Sequence, residues 1–416
     1  MGDTTDAKAA SLPPELLQRI LHYLLTGCLD LHQSPDWLPQ AYHHPASSQT
    51  PFPRDPIYKP IGPSRAPLLS LTLVNKHWSI AAIRVLYDYV SVGSHEKSLA
   101  LAETLRNSPS LAHLVRALDF AYQGPSKGAR DGVLEIIPAC PNVQHVRLGT
   151  SSIPTSSRCS YLTALGDCTR IRTFCLRGET NYGSLIIRRR APPLFNFEDL
   201  VDLMGRWPDF QNLYLYPGSI VAKSPSTSNG VAWTLPSNLP RVKGLVLVAS
   251  TDLKLFQKAL SVTNSLEQLS LNITYPGQVY EIAPILVSSH GTMRHLDITV
   301  QCLGKPELPA AFYTALPNLP NLLYLRLSDT FFPVHRLKHS LPPKIGFLSI
   351  LIYQDDYKAL AEELRRRRDW LPSLRHLEIH GPFPKRWRNS DPFDVDAIDR
   401  VKRYCRRRKC HLEIID

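Results

Sequence analysis

The most regular feature of the chain is a hexapeptide pattern, apolar-x-x-apolar-x-apolar, that recurs from about residue 93 onward. Apolar and polar positions alternate at the end of each copy, which predicts one short strand per copy. Successive copies are centred 23 to 39 residues apart, a spacing typical of a stacked repeat array. The ten copies are VRALDF, VQHVRL, IRTFCL, FQNLYL, VKGLVL, LEQLSL, MRHLDI, LLYLRL, IGFLSI and LRHLEI, centred on 118, 146, 174, 213, 245, 269, 296, 325, 348 and 377.

The segments between these strands carry helical patterns, as in KSLALAETLRNS at 97–108 and DDYKALAEELRRRR at 355–368. Strand, loop and helix in repetition predict an α/β fold: a curved solenoid over 93–416, with parallel strands inside and helices outside. A further strand, HLEII at 411–415, predicts a C-terminal cap. The longest gap, between the third and fourth copies, contains Arg188–Arg190 and is interpreted as a protruding loop.

The N-terminal region has a different pattern. LPPELLQRILHYLL, from Leu12 to Leu25, has a wide apolar stripe at helical spacing and predicts an amphipathic helix. Residues 26–67 contain nine prolines, which exclude a continuous helix or strand, so we expect a disordered or loosely draped insertion there. Residues 1–11 are expected to be a disordered N-terminus. The apolar stripe consists of Leu16, Leu17, Ile20, Leu21, Leu24 and Leu25.

A second helix is predicted from Pro67, in the segment PLLSLTLVNKHWSIAAIRVLYDYVSV. Val90 and Val92, at the end of this segment, indicate the start of a strand. Two short helices cannot bury this much apolar surface between themselves, so a partner surface is expected, either elsewhere in the chain or on another protein. The apolar positions of the second helix that follow three- and four-residue steps are Leu71, Val74, Trp78, Ala81 and Val85.

The two helical segments together resemble the F-box, a motif that reads Leu-Pro-x-Glu-Leu, then Ile-Leu, then Val-x-x-x-Trp. The insertion at 26–67 departs from the family, in which the halves are joined by a few residues. The resemblance makes 12–92 an F-box-like module, and the repeats resemble the divergent leucine-rich repeats of many fungal-type F-box proteins. The matching positions are Leu12, Pro13, Glu15, Leu16, Ile20, Leu21, Val74 and Trp78.

This resemblance implies a non-catalytic substrate-recognition subunit of an SCF-type cullin–RING ubiquitin ligase. Its module would bind a Skp-type adaptor and, through it, a cullin, while the repeats would hold a target protein. The alternative is a non-ligase leucine-rich-repeat scaffold whose N-terminal helices only cap the solenoid. The residues expected to bind the adaptor are Leu12, Pro13, Leu16, Leu17, Ile20, Leu24, Val74 and Trp78.

The polar positions of the predicted strands should face away from the core and form the concave, target-binding surface. Their charges balance when Asp119 is included, and this argues against a nucleic-acid groove, which needs clustered positive charge. Tyr and Arg among them are residue types enriched at protein interfaces. The predicted surface consists of Arg147, Arg177, Tyr214, Tyr216, His295, Asp297, Tyr324, Arg326, His376 and Glu378.

The composition and the absence of known motifs argue against several classes of protein. The formal net charge is +12, and the eight cysteines show no C-x-x-C spacing, which favours reduced thiols in the cytoplasm or nucleus. No apolar run is long enough to span a membrane, and the N-terminus lacks an apolar signal segment. No phosphate-binding loop or catalytic motif is present, so we expect no enzyme activity and no cofactor. The histidines of the Pro-rich insertion, His32, His43 and His44, are interpreted as solvated, and no metal site is predicted.

The C-terminal basic run RVKRYCRRRK, Arg400–Lys409, allows two interpretations. It could be a nuclear import signal. It also fits the basic end of an amphipathic capping helix that begins at Asp391 and Pro392, because positive charge suits a helix C-terminus. The buried face of that helix would be Val395, Ile398, Val401 and Tyr404.

Overall fold

The computed structural model divides the chain into two compact units, Met1–Tyr122 with Arg130–His145, and Gln123–Ala129 with Val146–Asp416. Several positions singled out above lie outside the described residues: Leu12, Leu24, Tyr216, Asp391, the N-terminus 1–11, nearly all of the insertion 26–67, and Arg188–Arg190. The described residues are 13, 15–18, 20–21, 66–120, 131–149, 153, 155–177, 194–215, 220–221, 242–248, 265–273, 280, 282–289, 291–300, 308–331, 334, 336, 340–352, 354–366, 371–380 and 392–415.

The first unit begins with helical residues at 15–18 and 20–21. Leu17 and Leu21 from this segment are fully buried and form a core cluster with Ala81, Ala82 and Val85 of the helix α2. The strands β1 and β2 of this unit pair in parallel. Its elements are α1 (Ala66–Leu71), α2 (Lys76–Asp88), β1 (Tyr89–Val92), α3 (His95–Asn107), α4 (Pro109–Ala112), β2 (Ala117–Phe120) and α5 (Gly132–Ala139).

The prediction of a single helix from Pro67 is wrong, because α1 and α2 are separate helices joined by a tight turn. The backbone N–H of Val74 donates to the carbonyl of Leu71, which closes that turn. Asn75 then caps α2, since its side-chain oxygen accepts a hydrogen bond from the Trp78 N–H at 3.0 Å. An asparagine that satisfies a free backbone donor in this way is a strong helix start, and it ends the earlier helical run. The strand predicted at Val90 is confirmed as β1.

The second unit repeats strand and helix along its length, beginning with β3, whose first residue, His145, is the last of the first unit. Its elements are β3 (His145–Gly149), α6 (Arg158–Gly166), β4 (Thr173–Arg177), β5 (Phe195–Asn196), α7 (Phe197–Arg206), β6 (Asn212–Leu215), β7 (Ile220–Val221), β8 (Gly244–Val248), β9 (Gln268–Ile273), α8 (Ile282–Ser288), β10 (His295–Val300), α9 (Ala310–Ala315), β11 (Tyr324–Phe331), β12 (Phe347–Leu351), α10 (Gln354–Arg366), β13 (His376–His380), α11 (Pro392–Arg408) and β14 (His411–Ile415).

All described strands of the second unit except β5 and β7 form one parallel sheet in chain order, β3-β4-β6-β8-β9-β10-β11-β12-β13-β14. The same connection recurs at the start of successive strands: two consecutive backbone N–H groups donate to one carbonyl of the preceding repeat. Arg294 and His295 share the carbonyl of Glu267, and the next repeat uses the carbonyl of Arg294 in the same way. These repeats are therefore structurally equivalent, as the hexapeptide pattern predicts.

The central residues of all ten hexapeptides are at most 2% exposed, which confirms the predicted core positions. The sequence did not predict the small sheet formed by β5 and β7, which lies partly in the longest gap between repeats. Most of the described part of that gap is the helix α7 rather than a loop. A capping box begins α7, because Asn196 and Asp199 each accept a hydrogen bond from the other's backbone N–H.

The C-terminal helix and strand are both present as α11 and β14. Val401 is buried, as predicted, together with Ala397 and Cys405, whereas Ile398 and Tyr404 are half-buried and the side chain of Val395 lies outside the described residues. Throughout the described part of the chain, no helix has the length and apolar character needed to cross a membrane.

Candidate functional site

Exposed apolar side chains are concentrated in the helical module of the first unit. Within the described residues, large hydrophobic side chains are exposed at eight positions, and five of these belong to residues 13–92. Leu73 is 86% exposed and Val74 is 60% exposed, both at the turn between α1 and α2. Apolar exposure of this kind typically marks an interaction surface. The five residues are Leu16, Leu69, Leu73, Val74 and Ile80, hereafter the module patch.

The predicted adaptor-binding residues differ in how far the structure exposes their side chains. Leu16 and Val74 belong to the module patch, Pro13 is exposed, and Ile20 and Trp78 are half-buried. Leu17 instead packs inside the chain, on α2, so it supports the module from within. Sequence reasoning missed Leu69, Leu73 and Ile80, because it predicted one helix from Pro67 onward and selected only the residues of one apolar stripe along it.

The strands β9 to β14 bring residues from different repeats into two aligned columns on one face of the second unit. Because side chains alternate along a strand, positions two apart share a face, and both columns therefore lie on the same side of the sheet. The ring column consists of Gln268, His295, Tyr324, Phe347, His376 and His411. The charge column consists of Ser270, Asp297, Arg326, Ser349, Glu378 and Glu413.

Five rings of the ring column are in successive contact. Tyr324 and Phe347 stack with centroids 4.2 Å apart, and Phe347 stacks on His376 at 4.8 Å. His295 meets Tyr324 edge to face at 5.9 Å, while His376 and His411 are tilted at 4.8 Å. The Tyr324–Phe347 pair is of the kind that contributes about 0.5–1.5 kcal/mol beyond area burial, and the histidine rings extend the stack on both sides into a continuous ladder.

The charge column is more buried than a solvated surface would be. Burial raises the pKa of Asp297 to about 6, although the nearby Arg326 offsets part of this shift. Burial also raises the pKa of Glu378, but the hydrogen bond from His380 and the charge of Arg326 outweigh it and leave that pKa lowered. His380 Nε2 lies 2.7 Å from Glu378 Oε1 and 3.1 Å from Ser349 Oγ. The buried carboxylates of Asp297 and Glu378 therefore both interact with the charge of Arg326, and Glu378 is also held by His380.

Six of the ten predicted target-binding residues lie together in these columns. Arg147 and Tyr214 are on β3 and β6 and are buried, the side chain of Arg177 lies outside the described residues, and Asp119 accepts a hydrogen bond from Tyr89 at 2.8 Å in the first unit. The six are His295, Asp297, Tyr324, Arg326, His376 and Glu378. The prediction missed Phe347, Ser349, His380, His411 and Glu413, although the same alternation rule applied to IGFLSI and HLEII selects most of them.

Sequential parallel strands, buried leucine-type centres and intervening helices give the second unit a strand–helix repeat architecture, which is the fold of leucine-rich-repeat arrays. No protein-family model and no curated protein matches the chain. Among solved structures, the leucine-rich-repeat-containing protein LegL7 from Legionella pneumophila is similar with a TM-score of 0.38 and 15% identity, over 79% of this chain and 89% of that one. A TLR13–ssRNA13 complex is similar with a TM-score of 0.38 and 15% identity, over 73% of this chain and 38% of that one.

Proposed function

We propose that the chain is a non-catalytic substrate-recognition subunit of an SCF-type cullin–RING ubiquitin ligase. The helical module would bind a Skp-type adaptor and, through it, a cullin. The face of the sheet that carries the ring and charge columns, hereafter the strand face, would bind a target protein. Catalysis would come from proximity, because tethering raises the concentration of target near the ubiquitin carrier. No cofactor, nucleic acid or membrane takes part in this proposal, and its location would be the cytoplasm, the nucleus or both.

The module patch is the observation that carries the proposal. Val74 is a position of the F-box-like motif and is largely exposed, beside the still more exposed Leu73. Leu17 and Leu21 hold the N-terminal helical residues on α2, so the exposed side chains are presented by a packed support. An apolar surface on a packed helical support fits a protein partner that covers it.

The strand face supports the second half of the proposal. Tyr, His and Arg side chains from successive repeats lie side by side there, and aromatic and Arg side chains are enriched at the centres of protein interfaces. Asp297, Glu378 and Glu413 share the charge column with Arg326, a mixed set of charges that favours a protein over a nucleic acid.

A leucine-rich-repeat scaffold without a ligase is the second candidate. One observation favours it: α2 ends at Asp88 and β1 begins at Tyr89, so the module runs directly into the first strand. In that arrangement the helices would serve as an N-terminal cap, which repeat arrays require to cover an open end.

The test is capture of a purified Skp-type adaptor by the full chain, using Val74→Asp. A charge at an exposed apolar contact must be desolvated in the complex, so we expect at least about a tenfold loss of affinity with little change in folding. Val287→Asp is a matched control, because Val287 is 61% exposed against 60% for Val74 but lies on α8 of the second unit. Equal adaptor binding by both variants, or no binding by the intact chain, would favour the scaffold.

A further inference from the structure

The last two strands of the second unit carry the same tetrapeptide, His-Leu-Glu-Ile. Parallel pairing in register places His376 beside His411 and Glu378 beside Glu413. Like charges directly opposite one another on neighbouring strands are destabilising unless a cation lies between or beside them. The repetition therefore gathers imidazoles and carboxylates at one end of the ring and charge columns.

Three of these side chains converge. Ligand-type atoms of His376, His411 and Glu413 all lie within 4.8 Å of one another. His376 Nε2 is 3.7 Å from Glu413 Oε2, which is too long for a good hydrogen bond. Donors around a tetrahedral Zn²⁺ lie about 2.0–2.2 Å from the ion and so about 3.3 Å from each other. Small side-chain rotations would bring the three donors to that spacing.

The surroundings orient the cluster and leave it accessible. Phe347 stacks on the His376 ring at 4.8 Å with an interplanar angle of 18°, which limits the rotation of that imidazole. The side chains of His376 and Glu413 are 29% and 24% exposed, and His411 is exposed, so an ion can reach all three. Glu378, next to Glu413 in the charge column, adds a further carboxylate close to the cluster.

We propose that His376, His411 and Glu413 form a binding site for a divalent transition-metal ion of the Zn²⁺ class. Two imidazoles and one carboxylate suit Zn²⁺ and its neighbours, whereas Mg²⁺ and Ca²⁺ prefer oxygen donors alone. Three protein ligands leave a fourth tetrahedral position, which water or a side chain of a bound target would occupy. The site does not depend on the ligase proposal, because it lies wholly within β13 and β14.

The test is titration of the full chain with ZnCl₂ in competition with a chromophoric chelator. We expect the intact chain to bind one Zn²⁺ whose affinity falls at least about tenfold in His411→Gln and in Glu413→Gln, because each variant removes one ligand. His113→Gln is the control, since His113 is an exposed histidine of the first unit. Zn²⁺ should also raise the melting temperature of the intact chain more than that of His411→Gln, because a bound ion stabilises the folded state.

Thermal unfolding of each variant is first measured in the presence of a metal chelator. A cooperative transition shows that the metal-free variant is folded, and only then is its Zn²⁺ titration interpreted. Glu413→Gln keeps the shape of the side chain and removes only its charge, so it provides the answer if His411→Gln does not fold. Wild-type Zn²⁺ affinity and stoichiometry in the folded variants would overturn the proposal. An equal loss in His113→Gln would overturn it as well.

Discussion

Asp297 is a carboxylate that the strand face holds out of water, and its environment makes folding depend on pH. Its pKa is raised from 3.8 to about 6, first because of burial and then because of the nearby Glu378, with Arg326 acting in the opposite direction. Its Oδ1 accepts no hydrogen bond within the described residues. The folded chain therefore binds the Asp297 proton more tightly than the unfolded chain does, and this residue destabilises the fold once it is ionised.

We predict that Asp297→Asn removes this pH dependence. Since the folded pKa exceeds the unfolded one, the contribution of Asp297 to stability falls as pH rises from 3.8 to about 6. The free energy of unfolding of the intact chain, relative to that of the variant, should fall by about 2 kcal/mol between pH 4.5 and pH 7. Urea unfolding at pH 4.5 and pH 7 measures it. Asp209→Asn, at an exposed carboxylate, is the control for the loss of one acidic side chain, and parallel pH profiles for the intact chain and Asp297→Asn would contradict the prediction.

The helices α3 and α5 approach so closely that their contact depends on one glycine. A Cβ built on Gly132, the first residue of α5, would lie 2.6 Å from the carbonyl carbon of Ser98 in α3. That distance is shorter than any normal contact, and the obstructing atom is backbone rather than a flexible side-chain end. The hydrophobic pattern of α5 does not reveal this restriction, because periodicity reports which face is buried but not how closely the two axes approach.

We predict that Gly132→Ala lowers the free energy of unfolding by about 1–3 kcal/mol, as overpacking typically does. Helix propensity alone would favour alanine, so a loss of stability in this variant can be assigned to the steric contact. Gly93→Ala is a matched control in the same unit, because no atom lies within 4 Å of its added Cβ. Chemical denaturation of both variants provides the comparison, and equal stabilities would refute the close-packing argument.

The sequence predicted the strands well and the turns poorly, for a physical reason. Each hexapeptide centre buries an apolar side chain, so the ten centres could be read directly from alternation, as Leu296 and Leu377 illustrate. The break at Asn75 depends instead on one side-chain oxygen that accepts one backbone hydrogen bond. The cluster of His376, His411 and Glu413 could not be predicted from the sequence without the register of the strands. His376 and His411 are 35 residues apart in the chain and become neighbours through the pairing of β13 with β14.

In the described part of the second unit, each strand of the main sheet pairs with the strands of the repeats before and after it, so the effect of local damage should spread over a limited distance. Trp207 lies at the core of the repeats around β4 and β6. Its Nε1–H donates a hydrogen bond to the carbonyl of Leu165 at 3.0 Å. The centroid of its ring lies 5.2 Å from that of Phe174 and 5.3 Å from that of Phe210. Removal of this side chain leaves a cavity among aromatic rings and a carbonyl without its donor.

We predict that Trp207→Ala destabilises the second unit by about 3–5 kcal/mol. Amide hydrogen exchange should accelerate most in β4 and β6 and least in β13 and β14, because nearest-neighbour coupling weakens with each repeat. Leu323→Ala, at a side chain that is already exposed, serves as the control. An equal acceleration in all four strands would mean that the unit opens as a whole and would contradict the prediction.

The strands of β9 to β14 keep matched positions although the segments between hexapeptide centres differ in length by many residues. Between the ring and charge positions the pairing has no register shift, so the length variation lies outside these positions. A gene for such a chain could gain, lose or exchange a whole repeat by unequal recombination and still present its side chains as aligned rows. One residue inserted within a strand would instead transfer every later side chain of that strand to the opposite side. Tolerance to genetic change should therefore be high between the strands and very low inside them.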